Sequence, residues 1–340
     1  MSVMRPSADL LRCYYTGESV QQVQRAIGLL KPGTPPIPTA ASFDQQFLEA
    51  RVFVNLLEFR NCYTHYPLGI AAVNPEPNGI TLQVESEERA AEILLNLLPT
   101  YVSDQEVHGV PGLRITRREL TAVELRVLGT STRLRLAGLP ATVWRKAVAR
   151  MISKWIDPTP AFLCWKSSPR AWTEAESAHR ARWEGPDDEF TQIQRRGAWL
   201  GSGMLRRAAL LHRVSNTFFA DGYQGGGETA VLVLRTSHVR GQGPGPHNIV
   251  NALAHPVLGL PLRVKRFRGD TDEKHSAEQH FILGDAGKTA VLDLRTESAG
   301  PGSRLDPELW QDILRRLPTS EFTESLPLGV LAGLWGAGKA

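Results

Sequence analysis

Hydrophobic positions along the chain follow two different periods, and the switches between them outline the predicted elements. Over residues 42–60 the apolar positions Phe47, Leu48, Val52, Leu56 and Leu57 recur at helical spacing. They predict a helix, with the β-branched and aromatic run at 51–59 leaving a strand as the alternative. The spacing predicts a shorter helix at 19–30, followed by the proline-rich connector KPGTPPIPT at 31–39, where fixed φ angles and missing N–H groups oppose regular structure. Period-two runs at 80–86, 112–120, 121–129 and 132–138 predict strands, with a helix at 88–98 after the first of them. After Pro140, a helix over 141–156 places Trp144, Val148, Met151, Ile152 and Trp155 on one face. Lys146, Arg150 and Lys154 form an i, i+4, i+8 row on another.

Residues 158–222 read as mostly helical, with the glycines at 197, 201 and 203 breaking the stretch 186–213 into two helices at a turn. The last third returns to strands: 228–237, a short helix at 247–255, then 262–268 and the hairpin-like pair 280–284 and 288–296 joined by Asp285, Ala286 and Gly287. TAVLVLRTS at 229–237 and TAVLDLRTE at 289–297 nearly repeat one another and are expected to be equivalent strands of one sheet. The predicted fold class is α+β, with largely antiparallel sheets and helices on one face. Two α+β units are joined by a helical middle. The expected organisation is an N-terminal arm and linker (1–41), a first α+β domain carrying the basic helix (42–157), a basic, tryptophan-rich helical segment (158–222) and a second α+β domain with glycine-rich loops (223–340).

Composition adds little until it is divided along the chain. The 340 residues carry 39 basic and 35 acidic side chains, a formal charge of +4. Residues 1–113 sum to −5, residues 114–213 to +10 and residues 214–340 to −1. That central excess coincides with six of the eight tryptophans, at 144, 155, 165, 172, 183 and 199. Basic side chains interleaved with aromatics suit single-stranded nucleic acid, because guanidinium and ammonium groups follow phosphates while flat rings stack on bases. Trp144 and Trp155 fall on the core face of their helix, whereas periodicity assigns Trp165, Trp172 and Trp183 to no core; these three are the stacking candidates, Trp165 and Trp172 foremost. No stretch approaches the roughly 18 apolar residues of a membrane span, and the N-terminus has no leader-like apolar segment, which predicts a cytoplasmic chain. The cysteines Cys13, Cys62 and Cys164 form no CxxC pair and are expected to be isolated thiols.

The chemistry-bearing motifs are incomplete. Residues 333–340 and 284–289 each approach a Walker A loop, but the first lacks the hydroxyl residue and a following helix, and Ile282 occupies the leading glycine position of the second. Asp270, Asp272, His275, Glu278 and His280 have metal-ligand chemistry without a metal-binding spacing, so no metal or cofactor is assigned. Asp285 with Asp293 and Arg295 resembles a divalent-metal nuclease pattern in which arginine replaces the usual lysine. The glycine-flanked arginines Arg195, Arg196, Arg206 and Arg207 are expected to clamp phosphate at a GxxxGxG turn.

Together these features predict binding of RNA or single-stranded DNA. Lys146, Arg150, Lys154, Lys166, Arg170, Arg195, Arg196, Arg206 and Arg207 would contact phosphate, and Trp165 and Trp172 would stack. Arg263, Lys265, Arg266 and Arg268 would extend the path on a later strand. Two alternatives remain: an enzyme acting on a phosphate-bearing substrate through Asp285, Asp293 and Arg295, and a subunit of a larger assembly with an acidic protein partner.

Overall fold

The computed structural model describes residues 8–57, 66–101, 106–156, 162–185, 188–215, 217–225, 227–239, 247–268 and 278–299. Helices α1 (Ala8–Thr16), α2 (Val20–Gly28) and α3 (Phe43–Leu57) lead into strands β1 (Ile70–Glu76) and β2 (Gly79–Val84), helix α4 (Glu87–Leu97) and the short strands β3 (Thr100–Tyr101) and β4 (Val107–His108). A meander β5 (Leu113–Arg118), β6 (Ala122–Val127) and β7 (Leu134–Ala137) precedes α5 (Ala141–Ile156). Next come β8 (Phe162–Leu163), α6 (Cys164–Ser167), α7 (Glu174–Trp183), α8 (Glu189–Leu205) and α9 (Leu210–Arg213). The described chain finishes with β9 (Thr217–Gly225), β10 (Ala230–Val239), α10 (His247–Leu253), β11 (Arg263–Arg268), β12 (Glu278–Gly284) and β13 (Ala290–Ala299).

The α+β class holds, and both five-stranded sheets are built to one plan. The first has strand order β1-β2-β7-β6-β5 and the second β9-β10-β13-β12-β11. Each begins with an antiparallel hairpin, continues through a helix, and ends in a three-stranded antiparallel meander whose last strand lies parallel beside the second hairpin strand. The near-repeat of the sequence is the parallel pair of the second sheet: β10 and β13 run side by side with Ala230 opposite Ala290 and Thr236 opposite Thr296. Their shared apolar pattern follows from a shared environment, since Leu232, Leu234, Leu292 and Leu294 all point to the buried face.

Helix starts obey local chemistry. Ser19, Ser86, Thr173 and Asp188 cap α2, α4, α7 and α8 by accepting a backbone N–H with the side chain, and α2 and α7 carry reciprocal capping boxes through Gln22 and Glu176. One local expectation fails. The glycines at 197, 201 and 203 do not form a turn but lie inside the continuous helix α8. A Cβ on Gly197 would sit 2.1 Å from the Ala230 side chain, one on Gly201 2.8 Å from that of Ala50, and one on Gly203 2.4 Å from that of Leu260. Close approach of α8 to β10, α3 and the 260 loop, rather than backbone flexibility, accounts for the three glycines. Helix α8 therefore leads into the second sheet as α3 leads into the first, and the two helices pack on each other.

A buried ion pair pins that helix contact. Arg206 Nη2 and Nε donate to the two carboxylate oxygens of Glu49 at 2.6 and 2.7 Å, and Nη1 donates to the Pro38 carbonyl. Ser202 Oγ donates to the same carboxylate, and both charged side chains are essentially fully buried. Arg207 is buried as well and donates to the carbonyls of Leu258, Gly259 and Gly203.

Candidate functional site

Helices α3, α7 and α8 and the loops before β5 and after β6 line a half-open cavity of about 360 Å³. Its walls divide by chemistry. Leu48, Val110, Pro111, Val127 and Leu128 form an apolar part, while Arg51, Arg180 and Arg195 bring three guanidinium groups to the other, with Asp44 and Glu184 as the acidic neighbours.

Each arginine lies against a ring. Arg51 and Arg195 stand over Phe47 at 5.7 and 5.6 Å from its centroid, and Arg180 stands 4.3 Å from that of Trp172. Glu184, the C-cap of α7, divides its carboxylate between two of them: Oε1 lies 2.6 Å from Arg51 and Oε2 3.8 Å from Arg180. Among the described residues no carboxylate pairs with Arg195, and its Nε is buried without a hydrogen-bond partner.

The position of α7 decides whether this cavity exists. Glu176 takes two hydrogen bonds from Arg114 on β5, at 2.6 and 2.9 Å, and one from the Gly112 N–H at 2.8 Å. Burial pushes the Glu176 carboxyl up more than any other single influence. The Arg114 hydrogen bond, joined by those from Thr173 and Gly112, outweighs it and leaves the group below the ordinary carboxylate range. Trp172 then presses on Gly112, where an added Cβ would lie 2.3 Å from the ring and where φ is +78°. No residue with a side chain fits that position.

The residues expected from sequence separate into five groups. Trp172 and Arg195 meet in the cavity. Arg206, Arg207 and Trp165 are corrections: all three are buried, the arginines by internal acceptors and Trp165 within the hydrophobic core, so they cannot clamp phosphate or stack on bases. Lys146 and Arg150 are exposed on α5 as expected, but they face Glu87 and Glu88 of α4 at 3.4 and 3.5 Å, which offsets the charge of the row. Lys166, Arg170 and Arg196 are exposed, as are Arg263, Lys265 and Arg266 on the edge strand β11. The side chains of Lys154, Trp183 and Arg268 lie outside the described residues, as do most of the 270–280 acidic and histidine group, the loop 240–246 and the C-terminal glycine motif.

The nuclease-like carboxylates do not converge. Asp285 closes the β12–β13 turn, accepting from Thr289 N, Thr289 Oγ1 and Ala290 N. Asp293 lies three residues beyond Ala290, about 10 Å along the strand, and on the opposite face of β13. There its carboxylate contacts His280 Nε2 at 2.6 Å and Arg295 at 2.8 Å. Among the described residues no group of three or more His, Cys, Asp or Glu side chains is placed to hold a metal ion. No described helix is long and apolar enough to cross a membrane.

Sequence reasoning missed Phe47, Arg51, Arg180 and Glu184 as site residues. Phe47 reads as a core position on α3, and its pairing with Arg51 one helical turn later was the available signal; Arg180 and Glu184 carry the same i, i+4 signal on α7. No protein-family model matches the chain, and searches of curated proteins and of solved structures find no match to it.

Proposed function

We propose that the chain binds single-stranded nucleic acid by taking one unstacked nucleotide into the cavity formed by α3, α7 and α8. The observation that carries this reading is the convergence of Arg51, Arg180 and Arg195 on one cavity that also has an apolar wall. A nucleotide has the complementary division, with an anionic phosphate attached to a flat, largely apolar base. The volume falls in the range of small-ligand sites and admits one nucleotide rather than a run of them. Arginines laid on aromatic rings lose little further side-chain freedom on meeting phosphate, and guanidinium planes themselves stack on bases. The exposed arginines at 170 and 196 supply further phosphate contacts for the flanking strand.

Fluorescence anisotropy with labelled single-stranded RNA, single-stranded DNA and duplex DNA, titrated over several salt concentrations, tests the proposal. Single strands are expected to bind more tightly than duplex, and affinity should fall steeply with salt as counterions are released. Replacing Arg195 by alanine should weaken binding about tenfold, the effect of one charged hydrogen bond. Equal binding of duplex and single strand, or an Arg195→Ala protein indistinguishable from the parent, would count against the cavity as the binding site.

A further inference from the structure

Resting on that reading, we propose that the cavity is specific for a terminal phosphomonoester, the phosphorylated end of a strand, and that Glu184 occupies the phosphate position when the site is empty. The Glu184 carboxylate presents one oxygen to each of two guanidiniums, 2.6 Å from Arg51 and 3.8 Å from Arg180. The shorter contact is a charge-assisted hydrogen bond and the longer an ion pair, so two guanidiniums face two anionic oxygens as they would on a phosphate. Arg195 is the third donor on the same cavity; it shares the Phe47 ring with Arg51, and among the described residues no carboxylate answers it.

Three guanidiniums match the three free oxygens of a monoester. An internal phosphodiester offers two free oxygens and one negative charge, whereas a terminal phosphate offers three and carries a charge of about −1.5 to −2 at neutral pH. Displacing Glu184 by a diester exchanges one unit of charge for one and leaves Arg195 unanswered. Displacement by a monoester answers all three arginines. The Glu184 side chain reaches the surface at the C-cap of α7, and rotation about its own χ angles moves it aside without breaking a backbone hydrogen bond.

The experiment compares one oligonucleotide sequence, labelled internally, in three forms: 5′-phosphorylated, 3′-phosphorylated and hydroxyl-ended at both termini. Each is titrated against the full chain and against Glu184→Gln and Arg195→Ala, with thermal melting to confirm folding. One phosphorylated form should bind about tenfold more tightly than the hydroxyl-ended form. Glu184→Gln should tighten binding of the preferred phosphorylated form by removing the internal competitor, and Arg195→Ala should abolish the preference for it. Competition with uridine 5′-monophosphate separates recognition of a strand end from capture of a free nucleotide: complete displacement at concentrations comparable to the oligonucleotide overturns the strand-end assignment. Equal binding of all three forms overturns the inference and leaves single-strand binding standing. A Glu184→Gln protein that binds the phosphorylated form no more tightly than the parent overturns it as well. Absence of binding by every form at low salt overturns both the inference and the reading beneath it.

Discussion

Arg195 and Arg206 are eleven residues apart, close to three helical turns, so they point to the same side of α8 and its C-cap. Both meet α3. Arg195 finds the ring of Phe47 and an open cavity, while Arg206 finds the Glu49 carboxylate and is sealed from solvent. Nothing in the local sequence of either arginine separates them, because the difference is supplied by a helix about 150 residues earlier. The Arg114–Glu176 pair shows the same dependence and has a measurable consequence. The Glu176 carboxyl lies below its ordinary range when folded, so the stability it contributes is present above about pH 4.3 and is lost as pH falls through the lowered value. Urea unfolding followed from neutral to acid pH should therefore show a flatter loss of stability below about pH 4.3 in Glu176→Gln than in the parent. At neutral pH the variant should be less stable by about 3–5 kcal/mol, since Arg114 would keep its charge in a buried place.

Elements were more legible than side-chain roles. The 3.6-residue period identified α3, α4 and α5, and the two-residue period identified β2, β5, β6 and β7; the pattern is cleanest in α4, α5, β2 and β7, which bury one face and leave the other more open. Helix α8 was misread at its glycines because a sequence shows that glycine lacks a side chain but not what fills the space. Its packing gives an expected outcome that intrinsic propensity contradicts. Gly201→Ala removes a residue that disfavours helices by about 0.5–1 kcal/mol, yet its Cβ would lie 2.9 Å from the Ala50 Cα. The contact is with backbone and cannot rotate away, so the substitution should lower stability, by about 1–3 kcal/mol. Gly28→Ala, at the end of α2 with nothing within 4 Å of the added carbon, should be neutral or raise stability by up to about 1 kcal/mol. Denaturant midpoints of the two variants, measured side by side, check both signs.

At the scale of the whole molecule, two sheets of one topology are joined through the α3–α8 contact and its buried ion pair. That interface should make the two units unfold together, so far-ultraviolet circular dichroism and tryptophan fluorescence should report one coincident thermal transition. Glu49→Ala, which leaves Arg206 buried without its partner, should lower the transition sharply; two well-separated transitions in the parent protein would show instead that the units are independent. The candidate cavity belongs to this scale too, since its lining comes from α3, the loops around β5 and β6, α7 and α8. The sequence by itself determined the α+β class, most helices and strands, the placing of β10 and β13 in one sheet, and the accumulation of arginine and tryptophan in the middle of the chain. Those are properties of periodicity and composition, which are local. Only the tertiary structure decided which arginines are consumed by internal carboxylates and carbonyls and which face a cavity, because burial and charge pairing are set by residues far apart in the chain.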